Sequence, residues 1–187
     1  MKNITSIIKF TVLIVILFAV IYPLAMLGIA QFAPNKGKGE TVMVNGKVIG
    51  YQKIGQKFDK AIYFWGRPSA VDYNAAGSAG SNKGASNADY LALVQKRIDT
   101  FLIVHPYLNK SDIPSDMVTA SGSGLDPNIS PQAALIQVKR VADARKLPEQ
   151  KVKALAEKMI KKPTVMGTET VNVLELNIAL DKLKINN

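Results

Sequence analysis

The sequence predicts an α+β protein in which one N-terminal transmembrane helix precedes a single domain with a small antiparallel sheet and about four helices. Three observations predict this fold class. A run without any charged side chain extends from Phe10 to Asn35. An Asn-Gly pair between two β-branched runs then indicates a hairpin. Finally, Gly/Ser-rich loops run into segments whose apolar residues recur at helical spacing.

The uncharged run is long enough to cross a membrane. A bilayer core needs about 20 consecutive apolar residues in a helix. We expect a cytoplasmic tail at 1–9, a transmembrane helix at 10–33, a linker at 34–40 and an extracytoplasmic domain at 41–187. The charges on the two sides of the helix are nearly balanced, so they do not decide its orientation. We expect the short N-terminal tail to stay in the cytoplasm, because this is the simpler way to insert the chain.

A cleaved signal peptide is the alternative interpretation of this run. Lys2 and Lys9 would form its basic start, and the small residues at 28–30 would offer a cleavage site. The apolar stretch resumes after Pro23, which makes it longer than the roughly 7 to 15 residues of a signal-peptide core. This length favours an uncleaved helix.

A β-hairpin is predicted at 41–52, because Asn45-Gly46 suits the two positive-φ positions of a type I′ turn. The apolar run Ala61-Ile62-Tyr63-Phe64-Trp65 predicts a further strand, which would end at Gly66-Arg67-Pro68.

Helix starts can be placed from capping patterns. Ser86 with Asp89 forms a capping-box pattern, and the helix it opens should end before Pro106. Ser130 is a suitable cap for a second helix because Pro131 follows at the first helical position.

Two shorter helices complete the predicted domain. Pro148 should open one whose lysines point outward, and Asn172 can cap a terminal helix.

The domain is strongly basic. All 14 acidic residues and 22 of the 24 basic residues follow residue 35, which gives this part a formal charge of +8. Nine basic residues lie between Lys139 and Lys162. A solvated helix face or a contact with anionic membrane lipid would account for them, and for a tethered chain we expect no nucleic-acid partner.

Catalytic chemistry receives little support from the residues. The chain has one histidine, His105, and no cysteine, which argues against a metal site built from soft ligands. Around Ser121 and Ser123 the sequence reads Ala-Ser-Gly-Ser-Gly, with alanine where a nucleophile elbow needs its first glycine. We predict no catalytic residue and no metal ligand on this chain.

Two loops have the composition of contact surfaces. The stretch from Tyr63 to Ser69 holds three aromatic residues and an arginine, which is typical of an interface hot spot. The alternative is that its aromatic residues belong to the core and that Arg67 forms a structural ion pair. The candidate partner-interface residues are Tyr63, Phe64, Trp65, Arg67, Ser121, Ser123, Asp126 and Asn128.

Several segments resemble one family in order and spacing. They are YFWGRPSA at 63–70, the Gly/Ser/Asn loop at 77–82, VTASGSGLDPNISPQAA at 118–134 and VNVLELNIALD at 171–181. Together with the single anchor, they resemble the C subunit of the Kdp-type potassium-transporting P-type ATPase, and the resemblance runs through the last helix.

The resemblance implies a non-catalytic accessory subunit of a bacterial inner-membrane potassium-uptake complex. Its implied partners are a channel-like subunit that handles potassium, a P-type subunit that hydrolyses ATP, and a small membrane peptide. The resemblance also implies a role in assembly and, as a catalytic chaperone, in raising the ATP affinity of the hydrolysing subunit. ATP is the one cofactor it suggests for this chain, and the nucleotide-contacting residues are unknown.

These implications and the charge map together predict an arrangement. Basic helices near a cation pore should point away from the ion path, so 139–162 should face lipid headgroups or solvent. The loops at 63–70 and 119–128 should then face the partner. The rival hypothesis is a membrane-tethered exported hydrolase or ligand-binding domain that uses the Ser121 and Ser123 loop.

Overall fold

The protein is described here by a computed structural model that covers residues 2–163 and 165–183. The chain forms two compact units, the first ending at Thr41 and the second beginning at Val42. The second unit mixes helices with two small sheets, which confirms the predicted α+β class.

The first unit is a long apolar helix. It consists of α1 (Lys2–Ile16), a π-helical turn (Leu17–Ile21) and α2 (Tyr22–Ala30). Residues Asn3–Ala30 have the length and composition to cross a membrane, and their most apolar window is entirely exposed. The helix thus begins earlier than the predicted span at 10–33 and ends three residues sooner.

Pro23 accounts for the π-helical turn. A proline inside a helix lacks its N–H, and its ring crowds the carbonyl four residues back. The backbone widens just before Pro23, where the Tyr22 N–H bonds to the Leu17 carbonyl five residues earlier. Such one-turn π bulges relieve this crowding without ending the helix.

The predicted hairpin is confirmed. β1 (Thr41–Val44) and β2 (Lys47–Tyr51) form a two-stranded sheet. Asn45 and Gly46 both have positive φ, at 51° and 77°, as a type I′ turn requires.

A second sheet was not predicted. β3 (Asn128–Ile129) pairs antiparallel with β4 (Val171–Asn172), with Asn128 opposite Asn172. Both strands are only two residues long, so they carry too little periodicity to be recognised in a sequence.

The longest helix of the second unit, α3 (Ala88–Val104), ends before Pro106 as predicted. Its N-cap is Asn87 rather than the predicted Ser86, because the Asn87 side chain accepts a hydrogen bond from the Tyr90 N–H. The helix therefore begins one residue later than the capping-box pattern indicates.

The predicted second helix is divided in two, α4 (Pro131–Leu135) and α5 (Val138–Arg145). Its Ser130 cap is confirmed, since the hydroxyl accepts from the Ala133 N–H at 3.1 Å. The break falls at Ile136 and Gln137, and the Gln137 side chain turns to bond with another part of the chain.

The last two helices are α6 (Glu149–Lys158) and α7 (Val173–Asp181). Asn172 caps α7 by accepting from the Glu175 N–H, as predicted. The lysines of α6 lie outward, also as predicted, while Val152 is fully buried. The helices surround one core whose largest fully buried apolar side chains are Phe64, Ile129, Val141, Val152, Val171, Leu176 and Leu180.

The strand predicted at 61–65 is wrong. This segment has no strand neighbour, and side-chain amides take the place of one. The Asn177 amide bonds to both the N–H and the carbonyl of Phe64, at 2.9 and 3.0 Å. The Gln137 amide does the same for Trp65, at 2.8 and 3.2 Å. The backbone polar groups are therefore satisfied without a ladder.

Arg140 completes this arrangement from α5. Its guanidinium, almost fully buried, donates to the carbonyls of Ala61 and Tyr63 and to the Gln137 amide oxygen. It also lies 4.2 Å from the centre of the Trp65 ring. Burial lowers the pKa of Arg140 to about 10, so the group keeps its charge at neutral pH.

His105 is part of the same cluster. Its Nε2 accepts from Arg140 Nε at 2.8 Å, so its proton lies on Nδ1, which donates to the Phe101 carbonyl at 2.9 Å. Burial lowers the pKa of His105 to about 4, with the nearby Arg140 charge as a smaller cause acting in the same direction. His105 is thus a neutral structural residue of the core.

We expect Gln137→Ala to destabilise the protein by about 3 kcal/mol, because it leaves the Trp65 peptide and the Arg140 guanidinium short of partners. The measurement is thermal unfolding of the full chain in mild detergent, followed by circular dichroism. The exposed Gln132→Ala is the matched control and should change little. Equal stability of the two variants would contradict the role of Gln137.

We expect the His105 imidazole to stay neutral from pH 8 down to about pH 5, because its folded pKa is near 4 and its unfolded pKa near 6.5. The unfolded chain binds this proton first, so stability is complete above about pH 6.5 and is lost as the pH falls toward 4. NMR titration of the single histidine is the direct measurement. A midpoint near pH 6.5 in the folded protein would contradict the geometry.

Candidate functional site

Three sequence motifs meet at one place, two of them within residues 66–80 and the third about 40 positions further along the chain. The Ser69 hydroxyl donates to the Gly124 carbonyl at 2.7 Å. The Ser78 hydroxyl donates to the Ser123 carbonyl at 2.9 Å. The loops at 66–69, 77–80 and 121–126 therefore form one surface region, which we call the motif surface.

An ion pair joins two of these loops. Arg67 Nη1 lies 3.1 Å from Asp126 Oδ2, and both side chains are about one-quarter exposed. Asp126 Oδ1 also accepts from the Asn128 N–H at 2.9 Å, which fixes the carboxylate. Within the described residues, Arg67 Nε is buried and has no hydrogen-bond partner. The Asp126 contact thus uses only part of the guanidinium's donor capacity.

Tyr73 stabilises the loop that carries Arg67. Its hydroxyl donates to the Arg67 carbonyl at 2.6 Å. Burial, with the Asp126 charge as a second cause, raises the pKa of Tyr73 to about 12, so the phenol remains a donor at physiological pH.

Close backbone approach explains the glycines of the motif surface. Gly124 has a φ of 67°, and an added Cβ would lie 2.7 Å from the Ala79 carbonyl oxygen. A side chain there would both strain the backbone and separate the loops. Gly122 differs, because an added Cβ would meet nothing within 4 Å.

The serines of the second loop hold turns. The Ser121 hydroxyl is buried and accepts from the Gly124 N–H at 2.9 Å. The Ser123 hydroxyl accepts from the Leu125 N–H at 3.1 Å. The one histidine, His105, is already bonded to Arg140 and Phe101. Within the described residues, neither serine hydroxyl is bonded to a base that could activate it.

The predicted candidates of the first loop do not share one environment. Phe64 is fully buried and offers no side-chain surface. Tyr63 is half-buried beneath the Arg145 guanidinium, 4.9 Å from its ring centre. Trp65 is half-buried against Arg140, and only Arg67 belongs to the motif surface.

The four candidates of the second loop do come together. Ser121, Ser123 and Asp126 lie in the motif surface, and Asn128 follows directly in β3. Ser123 is exposed, and Asp126 and Asn128 are half-buried. The structure therefore joins Arg67 to the second loop through Asp126.

Arg67 lies between two concave regions. On one side a cavity of about 430 Å³ is lined by the first loop and by α3. On the other side a polar groove of about 740 Å³ is lined by Asp116, Asp126, Asn128 and Glu169 among others. Within residues 2–163 and 165–183, no group of three or more His, Asp or Glu side chains is placed to hold a metal ion.

The α3 residues of the cavity were missed by sequence analysis. Leu93, Lys96 and Arg97 line it together with Arg67, yet they lie about 30 positions away along the chain. Helical spacing indicates which helix face is apolar, but it does not indicate which loop packs beside that face.

A helix long and apolar enough to cross a membrane, followed by a domain whose motif loops meet at one surface, is consistent with the class of membrane-associated proteins. The model of the KdpC family, described as the K+-transporting ATPase c chain, matches residues 4–182. The chain belongs to this family.

Curated relatives agree along the whole chain. The potassium-transporting ATPase KdpC subunit of Flavobacterium psychrophilum is 79% identical over 184 residues, covering 98% of this chain and 100% of the relative. That of Flavobacterium johnsoniae is 77% identical with the same coverage. The subunit of Phocaeicola vulgatus is 53% identical over 189 residues, covering 98% and 100%. The predicted family is thus confirmed.

We expect Asp126→Asn to destabilise the protein by about 1.5 kcal/mol, because among the described residues Asp126 is the carboxylate that pairs with the partly buried Arg67. The amide oxygen can still accept from the Asn128 N–H, so the turn is preserved. Thermal unfolding of the full chain measures the effect. Asp72→Asn breaks the exposed Lys57–Asp72 pair and serves as the control, which should unfold like wild type. A similar loss in both variants would contradict the role of Arg67.

Proposed function

We propose that this chain is a non-catalytic accessory subunit of an ATP-driven potassium-uptake complex and is needed for its assembly and stability. Family membership supports the complex. The serines of the second loop support the absence of catalysis on this chain, because within the described residues neither hydroxyl is bonded to a base. ATP hydrolysis and potassium selection would then belong to a P-type subunit and a channel-like subunit, accompanied by a small membrane peptide.

The proposal includes a topology. The helix Asn3–Ala30 would remain uncleaved as a single span of the bacterial inner membrane, with the domain on the extracytoplasmic side. The uninterrupted helix across Pro23 supports a full-length span in place of a short signal-peptide core.

The proposal also assigns surfaces. The motif surface would face a partner subunit, and the exposed basic side chains between residues 139 and 162 would face lipid headgroups or solvent, whereas Arg140 is buried in the core. The observation that carries this assignment is the meeting of three separated motifs at one exposed place. Lys151, Lys153 and Lys158 are all exposed, and only Lys153 lies near a carboxylate, 3.9 Å from Glu157.

An effect on ATP affinity is the last part of the proposal. An extracytoplasmic domain could not touch a nucleotide site on the cytoplasmic side, so we propose that any such effect passes through the other subunits. ATP titrations of hydrolysis by complexes with and without this chain would reveal a change in affinity. Labelling of this chain by a photoreactive ATP analogue would instead indicate direct contact and overturn the indirect route.

We expect Gly122→Arg to lower recovery of the complex about tenfold, because the side chain fits its own chain but would collide with a docked partner. The measurement is co-purification of the other subunits from mild detergent. Gly84→Arg is the matched control, since a Cβ there also meets nothing within 4 Å and the residue lies outside the motif surface.

In the same assay, reversing Lys151, Lys153 and Lys158 to glutamate should leave recovery nearly intact. Full recovery of the Gly122 variant would contradict the partner-facing motif surface. Loss of the complex on lysine reversal would contradict the assignment of the basic helices.

A further inference from the structure

The cavity between the first loop and α3, which we call the α3 cavity, has an apolar part. Trp65, Phe101 and Met117 line it, and Leu93 adds a side chain that is 43% exposed. An apolar surface of this kind in a cavity of about 430 Å³ has room for one or two large side chains.

The charges of the α3 cavity are unbalanced. Lys57, Arg67, Lys96 and Arg97 line it, against Asp59 and Asp72. Lys57 is paired with Asp72 at 2.7 Å, and Arg67 with Asp126.

Lys96 and Arg97 remain without a carboxylate. Arg97 donates only to a backbone carbonyl, that of Val118 at 3.0 Å. Across the described parts of the chain, no ion pair is formed by Lys96 or Arg97. Within the described residues, two cations beside an apolar surface therefore form no ion pair, and Asp59 is the one carboxylate of the lining that also forms none.

We propose that the α3 cavity receives an anchor segment from another subunit of the potassium-transporting complex, in which a large apolar side chain stands beside a carboxylate. This inference rests on the proposed function and names the chemistry of its partner. The apolar side chain would cover Leu93, Trp65 and Phe101, and the carboxylate would pair with Lys96 and Arg97. Desolvated apolar anchors of this type dominate binding energy, and charge complementarity selects the partner.

The position of the cavity favours a subunit as its occupant. Arg67 lines the cavity and also carries the ion pair of the motif surface, so the two regions are continuous. One partner could contact both. Its acid would also offset part of the +8 charge that residues 36–187 bring to a cation-transporting complex.

The test combines Leu93→Glu with Lys96→Glu in the full chain. No side-chain hydrogen bond or ion pair of either residue occurs within the described residues, so folding should be retained, as circular dichroism will check. We expect recovery of the complex to fall at least about tenfold, because glutamates would repel the partner's carboxylate and remove the apolar contact. Ile103→Glu with Lys151→Glu makes the same chemical and charge change away from the cavity and should keep recovery near wild type.

A photo-crosslinking residue at position 93 identifies the occupant. The expected product joins position 93 to another subunit, at a segment that carries Asp or Glu beside a large apolar residue. Changing that acid to lysine should lower recovery, and Lys96→Glu should then restore it. Full recovery of the Leu93/Lys96 double variant would overturn the proposal, as would crosslinks to lipid, to a second copy or to a segment without an acid.

The same experiment separates the two proposals. If the wild-type chain fails to co-purify with a P-type ATPase, the proposed function fails and the anchor hypothesis fails with it. If wild type assembles and the double variant assembles equally well, only the anchor hypothesis is overturned.

Discussion

A buried arginine without a carboxylate is the constraint on which the domain depends. Taking a charged guanidinium out of water costs several kcal/mol unless hydrogen bonds replace the lost hydration. Arg140 obtains them from neutral groups: the carbonyls of segment 61–65, the Gln137 amide and the His105 ring, with the Trp65 face above. These groups come from three separate parts of the chain, so satisfying Arg140 holds a loop, the end of α3 and α5 in one arrangement.

The geometry of the candidate site depends on the groups that surround Arg140. Segment 61–65 continues directly into the loop that carries Arg67, and that loop reaches the second motif through Asp126 and Gly124. A buried cation therefore fixes one end of the loop and a partly exposed ion pair fixes the other. These contacts hold the motif loops in one arrangement, and a pre-organised surface loses little conformational entropy when it binds.

Local rules predicted the parts of the fold whose causes are local. Asn45-Gly46, Ser130 and Asn172 act on residues within four positions, and each lies where the sequence placed it. The strand predicted at 61–65 failed because its β-branched and aromatic composition suits any buried extended segment. Its backbone partners are side chains of Gln137 and Asn177, about 72 and 113 positions away.

The sequence by itself determined the apolar helix, the α+β class, the basic helices and the family. Hydropathy, capping residues and short sequence motifs are all local properties, so they can be recognised without a structure. It also selected Arg67 and Asp126 as candidates without linking them. Only the tertiary structure decided that these two residues pair, that Phe64 is core, and that α3 supplies two unpaired cations to a cavity beside Arg67. Those facts depend on which distant surfaces pack together, and burial and charge pairing are set by that packing.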